Sequence, residues 1–136
     1  MEPQDATGWI AVGKMFLAIA LAIPIAWDRE RANRIAGLRT FPLVAMTSCG
    51  FLLVGIPILG TEDSHARFMA GMITGLGVLG GGAILHHSEK VRGIATAASI
   101  WMTGALGMAV AYSSWEVAAT VSIAGFAILR VGTKTK

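Results

Sequence analysis

The chain has 136 residues, of which 54% are hydrophobic and only 14% charged, against roughly a quarter charged in soluble domains. Its mean hydropathy is +0.65, and this leaves too little polar surface to cover a water-soluble core. The net charge of +3 does not mark a nucleic-acid binder, because the basic residues fall in short stretches between apolar runs rather than along one stripe.

Five apolar runs follow one another at about residues 9–27, 42–60, 68–85, 96–113 and 116–131. Each is about 16 to 19 residues, near the spanning length of a transmembrane helix. The expected fold is therefore an all-α membrane protein of about five transmembrane helices, a single polytopic domain over 1–136. The acidic N-terminal stretch with Glu2 and Asp5 has no basic residue before Lys14, so a cleaved signal peptide is not expected. Lys14 sits a few residues into the first run and is read as snorkelling toward headgroups. Pro24, near the inner end of that helix, is read as a kink that a membrane helix tolerates.

The first connection carries Arg29, Arg31, Arg34 and Arg39, the third Lys90 and Arg92, and the C-terminus Arg130, Lys134 and Lys136. Only Lys14 and Arg67 remain for the other side. The positive-inside rule then puts the N-terminus outside and the C-terminus in the cytoplasm of the bacterial inner membrane. If the first helix continues past Trp27, Asp28 faces Arg31 and Glu30 faces Arg34. Gly37 is read as its stop, Thr40 as a cap for the second helix and Pro42 as part of that helix's first turn. The cluster reads either as a solvated turn or as a polar core of Asp28, Arg29 and Arg39 at membrane depth, where an unpaired Arg costs at least about 2.5–3.5 kcal/mol. The lone Cys49 reads as a small buried side chain and excludes an internal disulfide.

The third run contains Gly75-Leu76-Gly77-Val78-Leu79-Gly80, which matches a dinucleotide fingerprint in letters only. No strand precedes it and no acid follows about 20 residues later. Gly71/Gly75 and Gly77/Gly81 read instead as helix-packing pairs, and the triplet Gly80-Gly81-Gly82 as close packing or a local break. Beyond it, His86 and His87 are adjacent and diverge on any regular element, so no metal site or cofactor is expected. Thr96, Ser99 and Thr103 lie at i, i+3 and i+7, on one face of the fourth helix, with interhelical hydrogen bonding as their expected role.

In order, Asp28-Arg29, Ala36-Gly37-Leu38-Arg39-Thr40, the segment from Gly75 to Ile84 and the segment from Val91 to Trp101 resemble the motifs of the MgtC/SapB family. The family's acid is usually Glu where this chain has Asp28. Ala26, Val78 and Gly81 depart from the family's Gly, Phe and Ala. The resemblance implies an inner-membrane protein linked to growth under magnesium limitation, and a polar core of Asp28, Arg29 and Arg39 beside the glycine helix. Thr40, Arg92, Thr96 and Ser99 complete the candidate set. Longer members add a cytoplasmic C-terminal domain, which this chain is expected to lack. No catalytic residues are expected. The leading expectation is a regulatory or accessory subunit that binds a membrane protein partner or forms a homo-oligomer. The alternative is a small oligomeric ion or solute transporter or channel.

Overall fold

The structure is a computed structural model that describes residues 3–32, 36–87 and 90–134. Its elements are α1 (Pro3–Arg31), α2 (Thr40–Gly55), α3 (Glu62–Gly82), β1 (Leu85–His87), β2 (Lys90–Arg92), α4 (Ile94–Ala111) and α5 (Trp115–Lys134). The five helices answer to the five apolar runs. Three segments are long and apolar enough to cross a membrane: Thr7–Arg31, Ile94–Ala111 and Trp115–Lys134. Helix α2 is apolar but has 16 residues. Helix α3, at 21 residues, is diluted by its glycines and by the charges in its first two turns.

The boundaries move for identifiable reasons. Helix α2 ends at Gly55, not near residue 60, because Pro57 has no N–H to continue the ladder. Helix α3 begins six residues earlier than expected. There the Thr61 side chain accepts from the Ser64 N–H and the Ser64 hydroxyl accepts from the Thr61 N–H, a reciprocal capping box. Arg39, not Thr40, occupies the N-cap of α2, and no side chain caps it there. The triple glycine does not break α3. The helix runs unbroken to Gly82 and tightens as the Ala83 and Ile84 N–H groups bond Gly80 and Gly81. A hairpin not foreseen from the sequence then follows, with Leu85 opposite Arg92 and His87 opposite Lys90. Gly93 caps α4 with φ of +93°. A side chain there would collide with the Ala83 carbonyl.

Helix α4 is the centre of the bundle, packed against all four other helices. Its window is 61% buried, against 22% for α1 and 17% for α5. That centrality needs small residues. At Gly107 an added Cβ would overlap the Ala45 carbonyl of α2, and at Gly104 it would overlap Leu76 of α3. Gly80 of α3 in turn lies 3.1 Å, measured to its virtual Cβ, from the Ala97 carbonyl. The largest fully buried side chains are Phe41, Ile25, Leu52, Leu106 and Val110.

The exterior is equally apolar. Trp9, Phe16, Phe51, Val78, Ile123 and Ile128 are all well exposed, and a surface of this kind faces lipid. Trp9 and Trp27 are both exposed and stand about 27 Å apart along α1, close to the roughly 30 Å hydrocarbon thickness whose edges favour tryptophan.

The α4–α5 turn, expected at Tyr112–Trp115, closes as a Schellman motif. The Ser114 N–H donates to the Ala109 carbonyl (2.8 Å), and the Ser113 N–H donates to that of Val110 (3.0 Å). Ser113 holds the left-handed position, φ 58°, where a side chain costs about 1–2 kcal/mol. Two opposite effects are expected in thermal unfolding of the detergent-solubilised protein. Ser113→Gly raises stability by up to about 1 kcal/mol, and Gly107→Ala lowers it by about 1–3 kcal/mol through overpacking against α2.

Candidate functional site

The last turn of α1 holds a buried ion pair. Arg29 Nη2 lies 2.8 Å from Asp28 Oδ2, Arg29 Nε donates to the same oxygen at 3.3 Å, and both side chains are 4% exposed. Adjacent residues on a helix point in different directions, so burying both needs cover from elsewhere. The returning chain supplies part of it, with Ala36 and Gly37 buried against the helix end. Glu30 holds that return in place, its Oε2 accepting the Leu38 N–H at 3.0 Å. A side chain at Gly37 would occupy the space of that carboxylate.

The pairing differs from the expected one. Asp28 bonds Arg29 rather than Arg31, which is exposed. The Glu30–Arg34 pair lies outside the described residues. Arg39 is exposed and makes no ion pair among the described residues, so the buried pair closes without it. Thr40 is half-buried at the start of α2, and Arg92 is exposed on β2.

Thr96, Ser99 and Thr103 all face the interior, as their spacing required. Ser99 and Thr103 do not bond across helices. Each hydroxyl donates back to the carbonyl four residues earlier, on Ala95 (2.7 Å) and Ser99 (2.6 Å). Their face is a packing ridge, because Ser99, Thr103, Gly107 and Ala111 recur every four residues and all are buried. That small-residue period was present in the sequence and was the signal for Gly107. The interhelical hydroxyl bond comes from Ser122 of α5, which donates to the Leu21 carbonyl of α1 at 2.7 Å. Leu21 follows Ala20, whose carbonyl loses its i+4 donor to Pro24.

Lys14 donates from Nζ to the Ala111 carbonyl of α4 at 3.1 Å, a partner within the protein that the snorkelling expectation did not name. With Tyr112, Ser113 and Ser114 taking the carbonyls of Met108, Val110 and Ala109, every orphan carbonyl of the α4 terminus has a donor. A cation at a helix C-terminus also opposes the macrodipole favourably. At the same end His65 of α3 is held on both ring nitrogens. Nε2 meets the Leu59 carbonyl at 3.1 Å and Nδ1 meets the Tyr112 hydroxyl at 2.8 Å. The carbonyl only accepts, so Nε2 carries a hydrogen; in the neutral ring Nδ1 then accepts from tyrosine.

Of the glycines expected to pack, only Gly80 meets a neighbouring helix. Side chains added at Gly71, Gly75, Gly77, Gly81 or Gly82 would meet nothing within 4 Å, and α3 buries only Leu76 and Gly80. Two apolar grooves flank it, of about 730 Å³ against α2 and about 520 Å³ against α4 and α5. Among the described residues no three His, Cys, Asp or Glu side chains converge as a metal would require; the side chains of His86 and His87 lie outside the description.

A helical bundle with apolar surfaces inside and out, sealed at one end by a buried ion pair, is a membrane protein. The chain belongs to the MgtC family, whose model matches residues 15–136. It is 36% identical to Protein SrpB of Synechococcus elongatus over 80% of this chain and 68% of that protein. It is 31% identical to the Putative magnesium transporter YhiD of Escherichia coli, over 87% of this chain and 58% of YhiD. With Protein MgtC of Salmonella typhimurium the identity is 33% over 80% of this chain and 47% of that one. The chain thus spans about half to two thirds of the length of these relatives. No solved structure matches it.

The ion pair makes a specific expectation. Arg29→Met strands a buried carboxylate and lowers unfolding stability by about 3–5 kcal/mol, whereas the double variant Asp28→Leu, Arg29→Met recovers most of the loss. Thermal unfolding of the three proteins in one detergent checks this, and equal losses for single and double variants would contradict it.

Proposed function

We propose that this chain is a regulatory or accessory subunit that binds another membrane protein through α3. In this reading all five helices cross the bacterial inner membrane, with the N-terminus outside and the C-terminus in the cytoplasm. The observation that carries the reading is the open side of α3. Gly77 and Gly81 form a small-residue pair four apart, and among the described residues no neighbouring atom lies within 4 Å of a Cβ on either. In lipid, helices associate by close backbone approach at such pairs rather than by a hydrophobic drive. A 21-residue helix with two buried residues leaves most of its surface for that contact.

A connection to magnesium limitation rests on the family and on the name of YhiD. The same name favours a second reading, a small transporter. One copy of this bundle has its centre filled by Phe41, Leu106 and Val110, so conduction requires an oligomer. The chain is proposed to be non-enzymatic in either reading.

Affinity purification from native membranes, with crosslinking and mass spectrometry, separates the two. The accessory reading expects a stoichiometric companion crosslinked to α3 and lost in Gly77→Ile and Gly81→Ile while the helical content stays unchanged. A homo-oligomer without a companion, conducting cations in liposomes, would establish transport instead. For the topology, a C-terminal fluorescent-protein fusion is expected to fluoresce and a C-terminal periplasmic phosphatase fusion to be inactive.

A further inference from the structure

The groove between α2 and α3 is a feature separate from the Gly77–Gly81 side. It runs from Arg67 and Phe68 at one end to Leu79 at the other, with Leu43 and Phe51 on the facing wall. Phe68 closes the outer end by packing on Gly55, 3.3 Å from its virtual Cβ. Below that contact Gly71 and Gly75 leave the α3 wall without side chains. From Arg67 to Leu79 the groove is about 18 Å long, close to the roughly 15 Å hydrocarbon depth of one leaflet. Its lining is mostly apolar, with Thr47 and Ser48 on the α2 wall.

The mouth is dipolar. Arg67 Nε and Nη2 each lie 2.8 Å from Asp63 Oδ2, and the two side chains are 81% and 71% exposed. Glu62 precedes Asp63 in the first turn of α3. The Asp63 contact leaves the Nη1 donors of Arg67 unused. A purely anionic headgroup would meet the Asp63 carboxylate there. A zwitterionic headgroup matches both signs of the pair, its phosphate on Arg67 and its ammonium on Asp63.

We propose that the α2–α3 groove is a binding site for one zwitterionic phospholipid with a primary ammonium headgroup, of the phosphatidylethanolamine type. One acyl chain lies along Gly71 and Gly75, and the headgroup spans the Asp63–Arg67 pair. The lipid fills the space that the thin α2–α3 contact leaves open.

Native mass spectrometry of the full chain tests this after delipidation and re-addition of phosphatidylethanolamine or phosphatidylglycerol. The wild type is expected to retain one phosphatidylethanolamine per chain, with phosphatidylglycerol about tenfold weaker. Gly75→Leu fills the groove and is expected to weaken retention about tenfold or more. Thr47→Phe, entering from the α2 wall, has the same expected effect and guards against a folding defect in the first variant. Gly81→Leu, off the groove, leaves retention unchanged, which keeps this test separate from the partner surface. Asp63→Asn narrows the preference between the two lipids. Equal retention by wild type, Gly75→Leu and Thr47→Phe overturns the proposal. So does equal affinity of the wild type for both lipids, or a second chain appearing in place of lipid.

Discussion

The backbone of α4 approaches α2 so closely at Gly107 that a single methyl group would overlap the Ala45 carbonyl. In water such contacts refine a core that hydrophobic burial has already assembled. In lipid the tails are as apolar as the side chains, so association depends on how closely the backbones pack. The ridge of Ser99, Thr103, Gly107 and Ala111 keeps the buried side chains small along that face of α4. From it follows the bundle's order, with α1, α2, α3 and α5 each packed against one buried helix.

A second constraint is that polar groups without water must find partners in the protein. The bundle meets it with donors borrowed across helices. Lys14 of α1 completes the C-terminus of α4, and Ser122 of α5 serves the Leu21 carbonyl of α1. At the other end Arg29 neutralises Asp28 under the returning chain that Glu30 ties down. These contacts tie α1 to α4, α5 and the start of α2, so α1 acts as the polar staple of a bundle whose packing is set by α4.

Helix α3 stands apart from both devices. It is joined to the rest by Gly80 against Ala97, Leu76 against Gly104, Phe68 against Gly55, and the His65 bonds to Leu59 and Tyr112. Between and beyond these points its surface is smooth and open. A helix held at its ends and along one narrow face, with grooves on both sides, is suited to exchanging lipid or protein neighbours. The proposed accessory role rests on that character.

Much of the architecture was legible from composition and order alone. Apolar runs of spanning length force helices, because only helices satisfy their own backbone in a membrane, and five runs became five helices. The inward face of Thr96, Ser99 and Thr103 also followed from helical period. What the sequence could not assign was which partners those residues meet. Glycines mark close approach without naming the neighbour, so the conspicuous cluster on α3 proved largely open while the sparser Gly104 and Gly107 carry the packing. Charged residues behave in the same way. Lys14 and Asp28 each had several stereochemically allowed partners along the chain, and only the folded bundle brings the Ala111 carbonyl to one and leaves Arg29 to the other. Local periodicity determines which face turns inward; the tertiary structure decides what that face touches, because contacts between helices are set by distances that no spacing along one helix encodes.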